Sequence, residues 1–151
     1  MLTDFRYYFR VRYAECDAQK VVFNARYADY TELASTEFMR ALGYGEELIS
    51  GALDYQLVKQ TIEWKAPARF DDVLEARVRA LHTGTTSFSL AIEYRRAGEA
   101  PLLASVETVY VLVDENTLEK RPLPEDFRNR LHAGAPDAET DHAAYLNRDR
   151  G

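Results

Sequence analysis

Tyr27, Tyr30, Ala34, Phe38 and Leu42 recur every three or four residues between positions 25 and 42. That spacing puts them on one stripe of an amphipathic helix of about five turns. Asn24 stands where a short side-chain oxygen can cap the first turn. Gly43 follows where a left-handed residue can close the last one. Residues 46–50 fit one further helical turn. All later patterned segments alternate with the period of a strand. One long helix with a single apolar stripe, together with several half-apolar strands, buries both sets of surfaces if a sheet curls around the helix. The expected class is α+β, with a curved antiparallel sheet of about five strands.

The strands are read from their alternation. Phe5, Tyr7, Phe9, Val11 and Tyr13 share one face of residues 5–13, with Arg6, Tyr8, Arg10 and Arg12 on the other. Further alternating runs occupy 58–66, 74–80 and 88–95. The run 102–113 becomes apolar on both faces after Thr108, which suits a central or doubly covered strand. Asp71-Asp72, Gly84, Ala97-Gly98 and Asp114-Glu115-Asn116 mark turns. The short connections predict antiparallel pairing of successive strands. Apolar surface on the final strand is expected to support a dimer or tetramer. Residues 132–151 hold few apolar side chains and read as a loose tail, so the domain is assigned to 1–131.

Composition excludes several classes. A net charge of -6 opposes general nucleic-acid binding, which relies on a basic surface. The single cysteine, Cys16, cannot form an internal disulfide and fits a reducing compartment. The first residues lack the layout of a signal peptide, and no apolar run approaches the roughly 20 residues of a membrane span. A cytoplasmic protein is expected. The sequence has no G-x-S-x-G elbow, phosphate-binding loop or G-x-G-x-x-G. His82, His132 and His142 show no metal-ligand spacing, so neither a metal nor a cofactor is expected.

The remaining chemistry lies in residues 13–27, YAECDAQKVVFNARY, where Asp17 stands seven positions before Asn24. Two readings are open from the pattern. Asp17 is a turn or cap residue, or it is a carboxylate held near the free backbone N–H groups of a helix start. Such amides can hold a carbonyl oxygen as it gains negative charge, while the carboxylate attacks that carbonyl or activates water.

These residues resemble the opening motif of the 4-hydroxybenzoyl-CoA thioesterase family of hotdog-fold enzymes: Asp17, the apolar pair Val21-Val22, Phe23, then Tyr27. Residues 65–80, KAPARFDDVLEARVRA, resemble that family's second segment, and the likeness extends from about position 7 to 127. It implies a long helix wrapped by an antiparallel sheet, as read independently above. It also implies an acyl-CoA thioesterase with Asp17 as nucleophile or general base and the Asn24 amide polarising the thioester carbonyl. Phe23, Tyr27 and Glu32 would meet the acyl group, with Tyr30 either beside it or in the core. Thr86 and Ser87, after Thr85, would lie near the CoA arm. CoA is then part of the substrate. The active site forms between subunits of a homodimer or homotetramer.

Two departures stand out. The motif glycine is Lys20 here, so the turn after Asp17 is expected not to use a positive φ. Lys20 instead becomes a candidate to meet a carboxylate or a CoA phosphate. The basic residues that some members carry before the serine equivalent to Ser87 are Gly84, Thr85 and Thr86 here, which leaves Lys65, Arg69, Arg95 and Arg96 as further phosphate candidates. The alternative function is a hotdog protein that binds acyl thioesters without turnover. A hydratase would need a histidine near the acid, and none follows Asp17 before His82.

Overall fold

The computed structural model of the protein describes residues 4–147. The elements are β1 (Phe5–Arg10), a 3₁₀ turn (Tyr13–Glu15), α1 (Arg26–Ala41), α2 (Gly45–Ser50), β2 (Asp54–Trp64), β3 (Val73–Thr83), β4 (Ser87–Arg96), β5 (Leu102–Val113), α3 (Glu125–Ala133) and β6 (Glu139–Asp141). The sheet is six-stranded in the order β2-β5-β4-β3-β1-β6. Every neighbouring pair is antiparallel except β1 and β6, which run parallel. The helix wrapped by an open, curved sheet is the hotdog arrangement expected above.

The whole predicted stripe of α1 is buried against the sheet. Thr31, Ser35 and Met39 widen it. The two hydroxyls need partners there, because a buried polar group without one is costly. Thr31 Oγ1 lies 2.8 Å from Tyr94 Oη, and Tyr110 Oη donates to Ser35 Oγ at 3.3 Å. Gly43 closes the helix at φ 100°: the amides of Gly43 and Tyr44 donate to the carbonyls of Arg40 and Met39, a Schellman closure.

Several expectations are corrected. The first strand ends at Arg10, because Tyr13–Glu15 turns into a 3₁₀ helix, and Tyr13 is exposed rather than core. β2 and β3 do not pair. β2 pairs with β5 at one edge, so residues 65–72 cross the end of the sheet to reach β3. The final long strand, β5, is largely buried and is not the exposed apolar surface. That surface is on β2, where Leu57, Val58 and Trp64 are exposed along an unpaired edge. A third helix, α3, was not anticipated; it buries only Phe127 and Leu131, one turn apart. Of the expected loose tail, residues 148–151 lie outside the described residues. The described part carries the end of α3 and β6, which covers the free edge of β1. Ring contacts hold it there: Tyr145 stacks on Tyr8 at 5.0 Å and His142 meets Tyr7 edge-on at 5.1 Å. No described helix is long and apolar enough to cross a membrane.

Candidate active site

Residues 15–23 form a tight antiparallel hairpin. The Phe23 amide donates to the Glu15 carbonyl at 3.0 Å, Cys16 bridges Val22, and the Asp17 amide donates to the Val21 carbonyl at 2.9 Å. Asp17 is exposed at the tip. Its Oδ1 accepts the Gln19 amide at 2.8 Å and so orders the turn. Its other oxygen has no hydrogen-bond partner among the described residues. The turn closes with Lys20 at φ 61°, which corrects the expectation that a lysine there excludes a positive φ. A side-chain-bearing residue in that region costs about 1 kcal/mol. Two bonds hold it in place: its amide donates to the Asp17 carbonyl at 2.9 Å, and its carbonyl accepts the Phe70 amide at 3.0 Å.

The root of the hairpin is anchored by Glu15, a buried acid. Its carboxylate accepts the Arg12 amide at 2.8 Å, the Arg12 guanidinium at 2.6 and 2.8 Å, and the Tyr30 hydroxyl at 2.9 Å. Desolvation pushes this carboxyl up, but the Arg12 and Tyr30 donors together outweigh it and hold Glu15 below the usual range. Burial, and then the bond to Glu15, raise the Tyr30 hydroxyl. Tyr30 is therefore core, and it positions Glu15. The sequence signal was the Arg12-x-x-Glu15 spacing, which the strand reading of residues 5–13 concealed.

Asn24 does not cap α1 with its side chain. The cap position is Ala25, and it makes no side-chain bond. The chain winds into the helix through 3₁₀ bonds, from Arg26, Tyr27 and Ala28 to the carbonyls of Phe23, Asn24 and Ala25. These consume the orphan donors that an Asn side chain would have satisfied. The amides of Asn24 and Ala25 themselves have no acceptor among the described residues. Asn24 lines a cavity of about 240 Å³ with Val21, Val22, Tyr27, Trp64 and residues 65–68. Burial pushes the Tyr27 hydroxyl up to about 12, so it stays protonated at neutral pH. The crossing segment after β2 supplies the opposite wall, pinned by the Val22 amide on the Ala68 carbonyl at 2.8 Å and by a bridge between Val21 and Arg69. Of this wall the sequence pointed only to Lys65, as a phosphate candidate; Trp64 and residues 66–68 went unread as cavity lining, since Trp64 fits the strand alternation equally well.

The other sequence candidates are more dispersed. Phe23 is exposed beside Asn24 but does not line the cavity. Glu32 lies further along α1, outside this cavity, where desolvation raises its carboxyl and where its charge is felt by Tyr55 and Tyr110. Thr86 and Ser87 are at the opposite end of the sheet. β4 starts where Phe88 packs on Phe127, itself against Tyr44 beyond the C-terminus of α1, and reaches the helix start only at Tyr94, which meets Tyr27. Within one chain they are separated from Asn24 by about the length of α1, roughly 24 Å. Arg95 and Arg96 are engaged: Arg95 with Glu93 and the Ala100 carbonyl, Arg96 with Asp72 and the Pro67 carbonyl. His132 meets Thr83, and no group of acids, histidines and cysteine among the described residues is arranged to hold a metal.

This geometry can be set beside known proteins. The family model of the Thioesterase-like superfamily matches residues 11–131, from just before the hairpin to α3. The chain belongs to this superfamily. It is 34% identical over 126 residues to the acyl-CoA thioester hydrolase YbgC of Escherichia coli, across 83% of this chain and 93% of that protein. It is 25% identical over 139 residues to the 1,4-dihydroxy-2-naphthoyl-CoA hydrolase of Synechococcus elongatus, across 89% and 99% of the two chains. The structure of BH1999 gentisyl-coenzyme A thioesterase superposes with a TM-score of 0.73 at 27% identity, covering 83% of this chain and 98% of that one. The expected kinship with the 4-hydroxybenzoyl-CoA thioesterases is met, and the protein is a thioester hydrolase.

Proposed function

We propose that the protein hydrolyses acyl-CoA thioesters in the cytoplasm, with Asp17 as nucleophile or general base and the Asn24 amide polarising the carbonyl. The observation that carries this reading is the free Asn24 amide. It sits at the start of α1, on the wall of an apolar cavity, at the end of the hairpin whose tip presents Asp17. Asp17 does not itself line that cavity; on this reading the thioester extends from the Asn24 amide out to the exposed Asp17 carboxylate. A donor aimed at a developing oxyanion is worth several kcal/mol in a water-poor site, about 3 in mutational work. The leaving thiolate, from a thiol of pKa about 8.5, needs neither a metal nor a strong base. No cofactor takes part, since CoA arrives as part of the substrate. Tyr27 lines the acyl end, with Phe23 at its entrance and Glu32 further along the helix.

The protein works as a homodimer joined through β2. That strand is an eleven-residue edge with exposed Leu57 and Val58. An unpaired edge of this length is a ready template for a second strand. Antiparallel pairing of β2 with its copy brings the far end of the partner sheet, where Thr86 and Ser87 lie, toward the Asn24 end of this one. On this reading the two groups, distant within one chain, meet across the joint, and the CoA arm lies there.

The test is thiol release from a panel of acyl-CoAs with aromatic, short aliphatic and long aliphatic acyl groups. Turnover of at least one class is expected, and its ranking assigns the acyl group. Binding of these thioesters without thiol release would contradict the reading.

A further inference from the structure

The turn that presents Asp17 carries a positive charge for which the fold has no use. Lys20 closes that turn at φ 61°. Glycine would take this φ without steric cost, so the lysine stands here against its own backbone preference. Strain of this kind collects at functional sites. The backbone groups of Lys20 are both bonded, yet its ammonium has no ion pair or hydrogen bond among the described residues. Arg69 lies across from it. The two loops are joined by the Phe70 amide on the Lys20 carbonyl at 3.0 Å and by the bridge between Val21 and Arg69. The Arg69 backbone is fixed by its amide on Asp72 Oδ2 at 2.8 Å, while its guanidinium is equally without a partner. Neighbouring cations are spent differently: Arg10 on Asp71, Arg12 on Glu15 and Arg96 on Asp72. Two uncommitted cations thus flank the rim of an apolar cavity in a chain of net charge -6. The arrangement suits a ligand that is apolar at one end and anionic at the other.

We propose that Lys20 and Arg69 receive the phosphates of the CoA nucleotide. The proposal rests on the acyl-CoA reading above and names the groups that would select the carrier. It predicts that affinity for CoA depends on ionic strength, because the contacts are solvent-exposed and screened by salt.

The experiment is calorimetric titration of the wild type, Lys20→Gly, Lys20→Arg and Arg69→Gln with CoA, and with pantetheine, which lacks the nucleotide. An exposed ion contact is worth up to about 1 kcal/mol, or about fivefold in affinity. Lys20→Gly and Arg69→Gln are expected to weaken CoA by about that factor relative to pantetheine. Lys20→Arg, which keeps the charge, stays within about twofold of the wild type. In a parallel titration, 3′-dephospho-CoA assigns the contact to the 3′-phosphate or to the diphosphate, and either assignment supports the proposal. Unchanged CoA affinity in Lys20→Gly, or equal losses for CoA and pantetheine, would overturn it. Failure of the catalytic reading shows itself separately, as CoA binding by the wild type without thiol release from any acyl-CoA.

Discussion

Tyr30 donates its hydroxyl hydrogen to the buried carboxylate of Glu15 at 2.9 Å, and this bond ties the long helix to the root of the hairpin that carries Asp17. Glu15→Gln replaces an acceptor of Arg12 and Tyr30 donors with a neutral group that also presents N–H. A loss of about 2 kcal/mol at pH 7 is expected in urea unfolding. The sign of the pH dependence follows from the lowered folded-state value. The contribution is fully present above the ordinary carboxyl value of 4.5 and is lost as pH falls through the folded value. The gap between wild type and variant therefore stays constant from pH 8 to about 5.5 and closes in acid. A gap independent of pH would contradict the assignment.

Lys20→Gly removes the cost of the positive φ at the hairpin tip. The expected result is a gain of about 1 kcal/mol, or about 2–4 °C in thermal midpoint, because glycine takes this conformation freely. Glycine's larger unfolded-state entropy offsets part of this gain. A lower midpoint would mean that the lysine side chain stabilises the turn.

Deletion of residues 139–151 strips β6 from β1 and removes the Tyr8–Tyr145 and Tyr7–His142 contacts. A loss of about 2 kcal/mol is expected, together with association through the bared β1 edge. Thermal unfolding and light scattering check the two effects. Unchanged stability would show that the segment adds nothing to the fold.

Val58→Asp places a charge on the exposed β2 edge, where Val58 is 57% accessible in the single chain. Sedimentation is expected to show a dimer for the wild type and a monomer for the variant. Thiol release should fall with the dimer, because the Thr86–Ser87 end then no longer reaches the Asn24 end of a partner. A fully active monomer would refute the shared site.

The sequence made the long-range plan legible where periodicity was strong. The stripe Tyr27, Tyr30, Ala34, Phe38 and Leu42 is buried as its spacing predicts, and Gly43 closes the helix with a positive φ. Where periodicity was short it misled. Phe127 and Leu131 are too few to signal α3, although Pro124 before it and Gly134 after it mark its ends. Non-local pairing was hidden as well: nothing local to β2 says that its neighbour is β5. That crossing is what brings residues 64–68 to Asn24. At the hairpin, the motif placed Asp17 and Asn24 on one unit. The 3₁₀ entry to α1, however, removed the capping role of the Asn24 side chain and left its amide free. The strain at Lys20 could not be read from composition, because lysine seldom adopts that φ without a surrounding structure that requires it.

The central claim is that the Asp17 carboxylate does the chemistry. Asp17→Asn is the informative change, since an Asn side-chain oxygen can still accept the Gln19 amide that orders the turn. The measurement is kcat for the best acyl-CoA of the panel, for wild type and Asp17→Asn, with circular dichroism and thermal midpoint confirming an intact fold. A fall of about 10²–10⁴-fold in kcat with little change in stability is predicted. Turnover within about threefold of the wild type, far less than a catalytic base supplies, would contradict the account.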